Sequence, residues 1–204
     1  MLIHLLGDSH TNVFRGLKEP FKVHPNMAFC AHNIREKGVL QAWLNTININ
    51  DKIIFSFGEI DCRTHIYYQF LKSKREYPVS CLVDDTINNY RLFLEQVKQD
   101  FCVYNILPAG TWQGPEINWK GICTPVQIRN IIHNEFHYTL NAMCHFSNFK
   151  VIDLWPEVLD DEGFAKKELR CDEVHLGDGA LPIILPKVAD VFPELKEEIL
   201  KAND

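Results

Sequence analysis

Four short runs of mostly apolar residues recur along the chain, and they constrain its fold more than any other feature. They are Leu2–Leu6, Lys52–Phe57, Cys102–Leu107 and Lys150–Leu154. A strand that is apolar on successive residues is covered on both faces, which is typical of a parallel sheet between helices. A further strand is harder to locate, and we place it at Phe21–His24.

Helix-like segments separate these runs, as connections between parallel strands require. The predicted helices cover Asn12–Leu17, Ile34–Asn45, Asp84–Asp100, Pro125–Phe146 and Ala180–Val191. Pro186 is expected to kink the last helix or to mark its true start. The alternation predicts an α/β fold with Leu2–Leu6 central in a parallel sheet and helices on both faces. A length of 204 residues suits a single domain over residues 1–204.

Charge excludes some classes of partner. The formal net charge is −6, and an acidic chain is poorly suited to bind nucleic acid or an anionic membrane surface. We therefore expect neither nucleic acid nor a membrane as a partner, and the sequence gives no indication of oligomeric state. It contains no Gly-rich phosphate loop, and we expect no cofactor.

Cysteine usage and the N-terminal residues indicate a cytoplasmic protein. The seven cysteines are odd in number, widely spaced and without a C-x-x-C pair, which favours thiols in a reducing compartment over disulfides or a zinc site. The apolar run at Leu2–Leu6 lacks a basic lead-in and is too short for a signal peptide or a membrane span.

Two polar motifs at opposite ends of the chain indicate nucleophilic catalysis. Ser9 directly follows the first predicted strand, and Asp172 precedes His175 by three residues. A serine hydroxyl is a poor nucleophile until a base takes its proton, and a carboxylate orients that base. The alternative is that Ser9 only caps the following helix and His175 is structural. Parallel sheets open their binding crevice at the carboxyl ends of the strands, where Ser9 and the segment Gly58–Asp61 both lie.

At these positions the chain resembles the SGNH/GDSL hydrolases. Gly7-Asp8-Ser9 matches the block that holds the nucleophile, and Asp172-x-x-His175 matches the block that holds the acid and the base. Gly58-Glu59-Ile60-Asp61 matches the third block, usually Gly-x-Asn-Asp, and Phe57–Arg63 is similar to a GDSL-like subgroup. The resemblance implies a flavodoxin-like, three-layer α/β/α sandwich with about five parallel strands. Members cleave esters, often acyl groups on carbohydrates or lipids, and some relatives transfer acyl groups.

The resemblance also implies a role for each matching residue. Ser9 would attack the acyl carbonyl, His175 would take and return the proton, and Asp172 would hold the imidazole tautomer. The Ser9 N–H would point at the oxyanion. Ile60 stands where the family has an asparagine donor, and residues 24–33 contain no glycine for the second block.

Other donors must therefore be sought, because losing one oxyanion donor costs about 3–4 kcal/mol of transition-state stabilisation. The candidates are Arg63 first, then Asn33 and Asn26, and His65 is a further donor nearby. The alternative role for Arg63 is an ion pair with Glu59, four residues before it.

Three further patterns carry weaker signals. His133 and His137 lie one turn apart on a predicted helix, but no third ligand is evident, so we expect no metal there. Glu59 and Asp61 resemble a glycosidase pair, although Asp61 is better explained as an acceptor for turn N–H groups. Trp112, in a loop after a strand, is a candidate to stack on a sugar or acyl group, with ordinary burial as the alternative.

The function predicted from the sequence is a serine ester hydrolase acting on a small or carbohydrate-linked acyl ester. Two alternatives stay open. One is a non-catalytic, ligand-binding relative with a degraded oxyanion hole, and the other is an O-acyltransferase that uses the same Ser9.

Overall fold

Five parallel strands form the sheet that supports the rest of the chain. The computed structural model describes residues 1–25, 29–36, 38–111 and 123–203, without the side chain of Val39. The strands are β1 (Ile3–Gly7), β2 (Phe21–Val23), β3 (Lys52–Ser56), β4 (Asp100–Tyr104) and β5 (Lys150–Ile152). All five predicted strands are present within a few residues of their expected positions.

The strand order is β2-β1-β3-β4-β5, so β3 occupies the middle of the sheet. The prediction that the first strand is central was wrong by one place, although β1 pairs on both sides. Strand β4 begins earlier than predicted and ends at Tyr104, where the Asn105 side chain accepts the N–H of Ile106 and the backbone leaves the ladder. Strand β5 ends at Ile152, and the carboxylate of Asp153 that follows it accepts the N–H of Trp155 at the start of the next helix, at 3.0 Å.

Helices cover both faces of the sheet. They are α1 (Gly38–Leu44), α2 (Ile66–Lys72), α3 (Val79–Leu94), α4 (Val126–Phe146), α5 (Trp155–Val158), α6 (Leu181–Val191) and α7 (Lys196–Lys201). Short 3₁₀ segments lie at Ser9–Phe14, Ala31–Glu36, Lys167–Leu169, Asp178–Ala180 and Pro193–Leu195, and a π-helical turn covers Asp61–His65. None of the helices among the described residues is long and apolar enough to cross a bilayer.

Several predicted helix boundaries were wrong. The helix expected at Asp84–Asp100 begins at Val79, directly after Pro78, and ends at Leu94. The one expected at Ile34–Asn45 is a 3₁₀ segment followed by α1. The one expected at Asn12–Leu17 is a 3₁₀ segment that starts at Ser9. Pro186 lies inside α6 and does not start it.

Alternating residues of the strands pack into two separate apolar cores, one on each face of the sheet. Ile53 and Phe55 of β3 pack with the core that contains Tyr90 of α3 and Phe136 of α4. Ile54, between them, packs on the opposite face with residues of α6 and α7. Because both faces of the sheet are buried, its strands appear in the sequence as continuous apolar runs. The three-layer α/β/α sandwich is thereby confirmed.

Two glycines let the chain turn at the carboxyl edge of the sheet. A Cβ on Gly7 would collide with the carbonyl oxygen of Ser56 on the neighbouring strand. Gly58 has φ = +121°, and a Cβ there would lie 2.6 Å from the ring of Phe136. The segments that follow β1 and β3 therefore come closer together than a side chain at Gly7 would permit, and the backbone conformation at Gly58 is one that favours glycine.

We expect Gly58→Ala to lower the free energy of unfolding by about 2–4 kcal/mol, because it combines backbone strain with overpacking against Phe136. Urea denaturation followed by circular dichroism measures the change. Gly16→Ala is the matched control, since nothing lies within 4 Å of its Cβ. Equal stability of the two variants would show that the strain at Gly58 is absent.

Candidate active site

Ser9 emerges where β1 gives way to a 3₁₀ turn. The N-cap of that turn is Asp8, whose Oδ1 accepts the N–H of His10 at 3.0 Å. The backbone N–H of Asp8 donates to Ser56 O at 3.0 Å, which fixes the turn to β3. Ser9 itself does not cap the helix. Its neighbours Asp8 and His10 are buried, whereas Ser9 is partly exposed at the end of the strand.

A continuous series of hydrogen bonds joins Ser9, His175 and Asp172. Ser9 Oγ lies 2.6 Å from His175 Nε2, and His175 Nδ1 lies 2.7 Å from Asp172 Oδ2. The structure thus brings together three side chains separated by as many as 166 positions in the sequence. With Nδ1–H donated to the carboxylate, Nε2 is left as the acceptor for the serine proton.

The loop that carries Asp172 and His175 is shaped by its own hydrogen bonds. Asp172 Oδ1 accepts the backbone N–H of Val174 and of His175, each at 2.7 Å. An antiparallel bridge between Arg170 and Leu176 closes the loop. Desolvation opposes ionisation of Asp172, but the bonds from His175 and the two backbone N–H groups outweigh it and hold its pKa below the usual value. The imidazole is therefore oriented by an ionised carboxylate.

A small polar cavity lies beside the Ser9–His175 contact. It measures about 10 Å³, which is room for one water molecule, and its walls include His10, Glu59, Arg63, Arg129 and His133. The ring of His10 lies 5.0 Å from that of His175, centroid to centroid. Both ring nitrogens of His10 lack a hydrogen-bond partner among the described residues. The cavity therefore presents buried polar atoms next to the serine.

Arg63 forms an ion pair with Glu59, the alternative role that we predicted for it from the sequence. Its Nη2 lies 3.3 Å from Glu59 Oε2, and the Glu59 side chain is 5% exposed. Arg63 also lines the cavity with His10, so its guanidinium is close to the site as well as paired. Ile60 is partly buried and its side chain offers no donor. No acceptor for the Ser9 N–H is found among the described residues, which leaves this group available.

Burial sets the protonation of the groups around Ser9. Desolvation, reinforced by the Glu59 carboxylate, raises the pKa of Asp8 to about 8, so Asp8 is protonated at neutral pH. Desolvation lowers the pKa of His10 to about 3 and that of His133 to about 4. Both rings are therefore neutral, and the charges close to the serine are those of Glu59, the arginines and the ionised Asp172.

The remaining candidate residues lie elsewhere or serve other partners. Asn33 lines a separate cleft with His32 and Asn89. Asp61 is fully buried and accepts the N–H of Ala31 at 2.6 Å and of His32 at 3.3 Å. Asn26 and Trp112 fall outside the described residues.

The two histidines of α4 contact different partners. His133 Nδ1 donates to Leu107 O at 2.9 Å, and His137 Nε2 lies 3.0 Å from Asp153 while its ring stacks on Trp155. Sequence reasoning missed His10, Arg129 and His133 as cavity residues. His10 could have been found from the sequence, because it directly follows Ser9. Arg129 and His133 lie on α4, and the sequence does not show which loop that helix packs against.

Solved structures of ester hydrolases share this fold. No protein-family model matches the sequence, and no curated protein matches it. A G-D-S-L lipolytic family protein from Veillonella parvula has a TM-score of 0.55 and 13% identity, covering 96% of this chain and 100% of its own. An acetylxylan esterase from Geobacillus stearothermophilus has a TM-score of 0.58 and 13% identity, with 93% and 92% covered. An aryl esterase from M. smegmatis has a TM-score of 0.51 and 14% identity, with 98% of each chain covered.

The chain has the fold of the SGNH/GDSL hydrolases. At identities of 13% the likeness establishes the fold alone.

The protonated Asp8 makes stability pH-dependent in a definite direction. The folded state binds this proton more tightly than the unfolded state, so the free energy of unfolding contributed by Asp8 falls as pH rises between 3.8 and about 8. The slope is about 1.4 kcal/mol per pH unit. In urea denaturation between pH 5 and pH 8, we expect Asp8→Asn to gain stability steadily over the wild type, because the amide mimics the neutral carboxyl.

Asp161→Asn is the control for this experiment, since Asp161 is exposed. Its stability should run parallel to that of the wild type at every pH. The same parallel behaviour in Asp8→Asn would mean that Asp8 is ionised in the folded protein.

Proposed function

We propose that the protein is a serine ester hydrolase in which Ser9 is the nucleophile, His175 the general base and acid, and Asp172 the residue that orients His175. The observation that carries this proposal is the unbroken hydrogen-bond series from Ser9 Oγ through the imidazole to the carboxylate, at 2.6 and 2.7 Å. Buried or surface histidines with only a structural role have no need of both contacts.

The reaction follows from this geometry. Ser9 Oγ attacks the acyl carbon while His175 Nε2 takes its proton, and the imidazolium is stabilised by Asp172. Collapse of the tetrahedral intermediate passes that proton to the leaving alcohol and leaves an acyl group on Ser9. A water molecule, deprotonated by the same nitrogen, then releases the acid and restores the serine.

Stabilisation of the oxyanion requires donors at the carboxyl edge of the sheet. The Ser9 N–H is one, since it lacks a partner among the described residues. Arg63 supplies the second, in place of the side chain that Ile60 lacks. Its guanidinium lines the cavity beside His10, and one carboxylate at 3.3 Å uses only part of its five N–H groups.

The proposed substrate is a short acyl ester on a carbohydrate or another small alcohol. The cavity beside the serine has room for one water molecule and is far too small for a long acyl chain. Two of the similar folds are named as acetylxylan esterases, whose substrates are acylated carbohydrates by name. Glu59 and His133 offer buried acceptors that hydroxyl groups satisfy.

A ligand-binding relative is the second candidate, and Ile60 is the observation that favours it. A chain that no longer stabilises an oxyanion could still hold an ester or an alcohol beside Ser9. Acyl transfer uses the same first half-reaction and differs in the acceptor of the acyl group, so product analysis with added sugar separates it from hydrolysis.

We expect a fluorophosphonate probe to label Ser9, as peptide mapping would show. Ser9→Ala should lose labelling and reduce kcat for 4-nitrophenyl acetate by about 10⁴-fold or more, since nucleophile and base act as one unit. Asp172→Asn should reduce kcat by about 10⁴-fold while leaving the fold intact, because the imidazole takes the wrong tautomer. The control is Asp161→Asn. If Ser9→Ala still cleaves the ester, the proposal of a serine ester hydrolase is wrong and the ligand-binding relative is favoured.

Arg63→Ala should lower kcat by about 100-fold or more with little change in KM, because an oxyanion donor acts mainly in the transition state. Arg91→Ala is the matched control, since Arg91 forms the same four-residue pair with Glu95 on the surface of α3. Arg63→Lys should recover part of kcat. If Arg63→Ala loses stability but keeps kcat, Arg63 serves only to neutralise Glu59.

A further inference from the structure

A cluster of metal-ligating side chains lies apart from Ser9, between two loops at the carboxyl edge of the sheet. It consists of Cys30, Asp61 and His65, each of which places one ligand atom within 4.8 Å of the others. Within residues 1–25, 29–36, 38–111 and 123–203, it is the single group of three such side chains. Asp61 and His65 are buried and Cys30 is partly buried.

The two elements that supply these residues are already fixed to each other. Asp61 Oδ2 accepts the N–H of Ala31 and Oδ1 that of His32, so the carboxylate reaches across from the π-helical turn to the 3₁₀ segment. The π-helical turn at Asp61–His65 places His65 on the same side as Asp61, with Nδ1 at 3.3 Å from Asp61 Oδ1. π-Helical turns are rare and occur frequently at functional sites.

The His65 ring is oriented from its far side, as metal-ligating imidazoles usually are. Its Nε2 lies 3.1 Å from the Gln69 side-chain amide, one turn along the helix. An amide can accept an N–H with its oxygen as readily as it donates with its nitrogen. The atom that faces His65 Nε2 is the Gln69 amide nitrogen, so with a metal on Nδ1 the amide would turn by about 180° and its oxygen would accept the Nε2 proton.

A second imidazole adjoins the cluster. The ring of His32 lies 4.6 Å from that of His65, centroid to centroid, and the two rings are tilted by 47°. His32 or a water molecule can therefore complete a tetrahedral set.

We propose that Cys30, Asp61 and His65 form a binding site for one divalent metal ion of the zinc type. A thiolate with an imidazole favours zinc or cobalt over magnesium or calcium, which prefer oxygen ligands alone. One thiolate and one carboxylate balance the two positive charges, so the buried complex is neutral. Binding releases the thiol proton of Cys30 to solvent.

The ion would lock together the segment after β2 and the segment after β3. Glu59, two residues before Asp61, lies 3.9 Å from His10, the neighbour of Ser9, so the site borders the candidate active site without supplying its reacting atoms. The proposed metal site does not depend on ester hydrolysis at Ser9, so the two proposals are tested separately.

Cobalt titration tests the site directly. The full chain is treated with a chelator, exchanged into buffer with a phosphine reductant, and titrated with Co²⁺ while absorbance is recorded. We expect a thiolate-to-cobalt charge-transfer band that saturates at one equivalent per chain and disappears when Zn²⁺ is added, since zinc binds such sites more tightly. Absence of the band in the wild type overturns the proposal.

Variants assign the ligands. Cys30→Ser should abolish the band, whereas Cys123→Ser, which removes an exposed thiol, should keep it. His65→Gln should weaken Co²⁺ binding by about 100-fold or more, beyond the loss typical of outer-shell changes. A band that survives in Cys30→Ser, or disappears in Cys123→Ser, also overturns the assignment.

A thermal measurement covers the case in which Cys30→Ser folds poorly. Zinc at about 100-fold above its Kd should raise the melting temperature of the wild type by about 5–10 °C, and it should leave that of His65→Gln nearly unchanged. Equal shifts in both proteins would place the ion elsewhere.

Discussion

The pairing of β1 with β3 is the constraint on which the rest of the structure depends. These strands are in register from Ile3 opposite Lys52 to Gly7 opposite Ser56, and they end together. Because the strands are parallel, whatever follows each of them emerges at the same edge. Ser9 follows β1 by two residues, and Glu59 and Arg63 follow β3. The absence of a side chain at Gly7 allows the two strand ends to approach closely enough for these groups to meet.

Burial of charge beside the serine gives this edge its chemical character. Asp8 and Glu59 lie close enough that the second carboxylate reinforces the effect of desolvation on the first. The result is a neutral Asp8, neutral rings at His10 and His133, and one buried ion pair between Glu59 and Arg63. Such a site holds its polar groups in place before any ligand arrives, which is the arrangement that favours electrostatic stabilisation of a developing charge.

Sequence reasoning succeeded where a pattern was local and failed where packing decided. The continuous apolar runs located the strands, because a strand buried on both faces is apolar at successive residues whatever its position in the sheet. Helix α3 was misplaced because Pro78 and the turn after Leu94 set its ends, whereas apolar spacing alone suggested residues 84–100. The 3₁₀ segment Ala31–Glu36 begins where the Asp61 carboxylate accepts its first two backbone N–H groups, a contact between residues about thirty positions apart.

The sequence by itself determined the fold class and the candidate nucleophile, base and acid, because strand runs and short motifs are carried by neighbouring residues. Only the tertiary structure decided which side chains surround Ser9 and which meet in the separate cluster at Cys30. Arg129 and His133 come from α4, Arg63 is already paired with Glu59, and Cys30 comes to lie against Asp61 and His65. These groupings depend on strand order and on the angles at which helices cross the sheet. No local pattern in a single sequence specifies such distances, since they follow from the packing of the two cores.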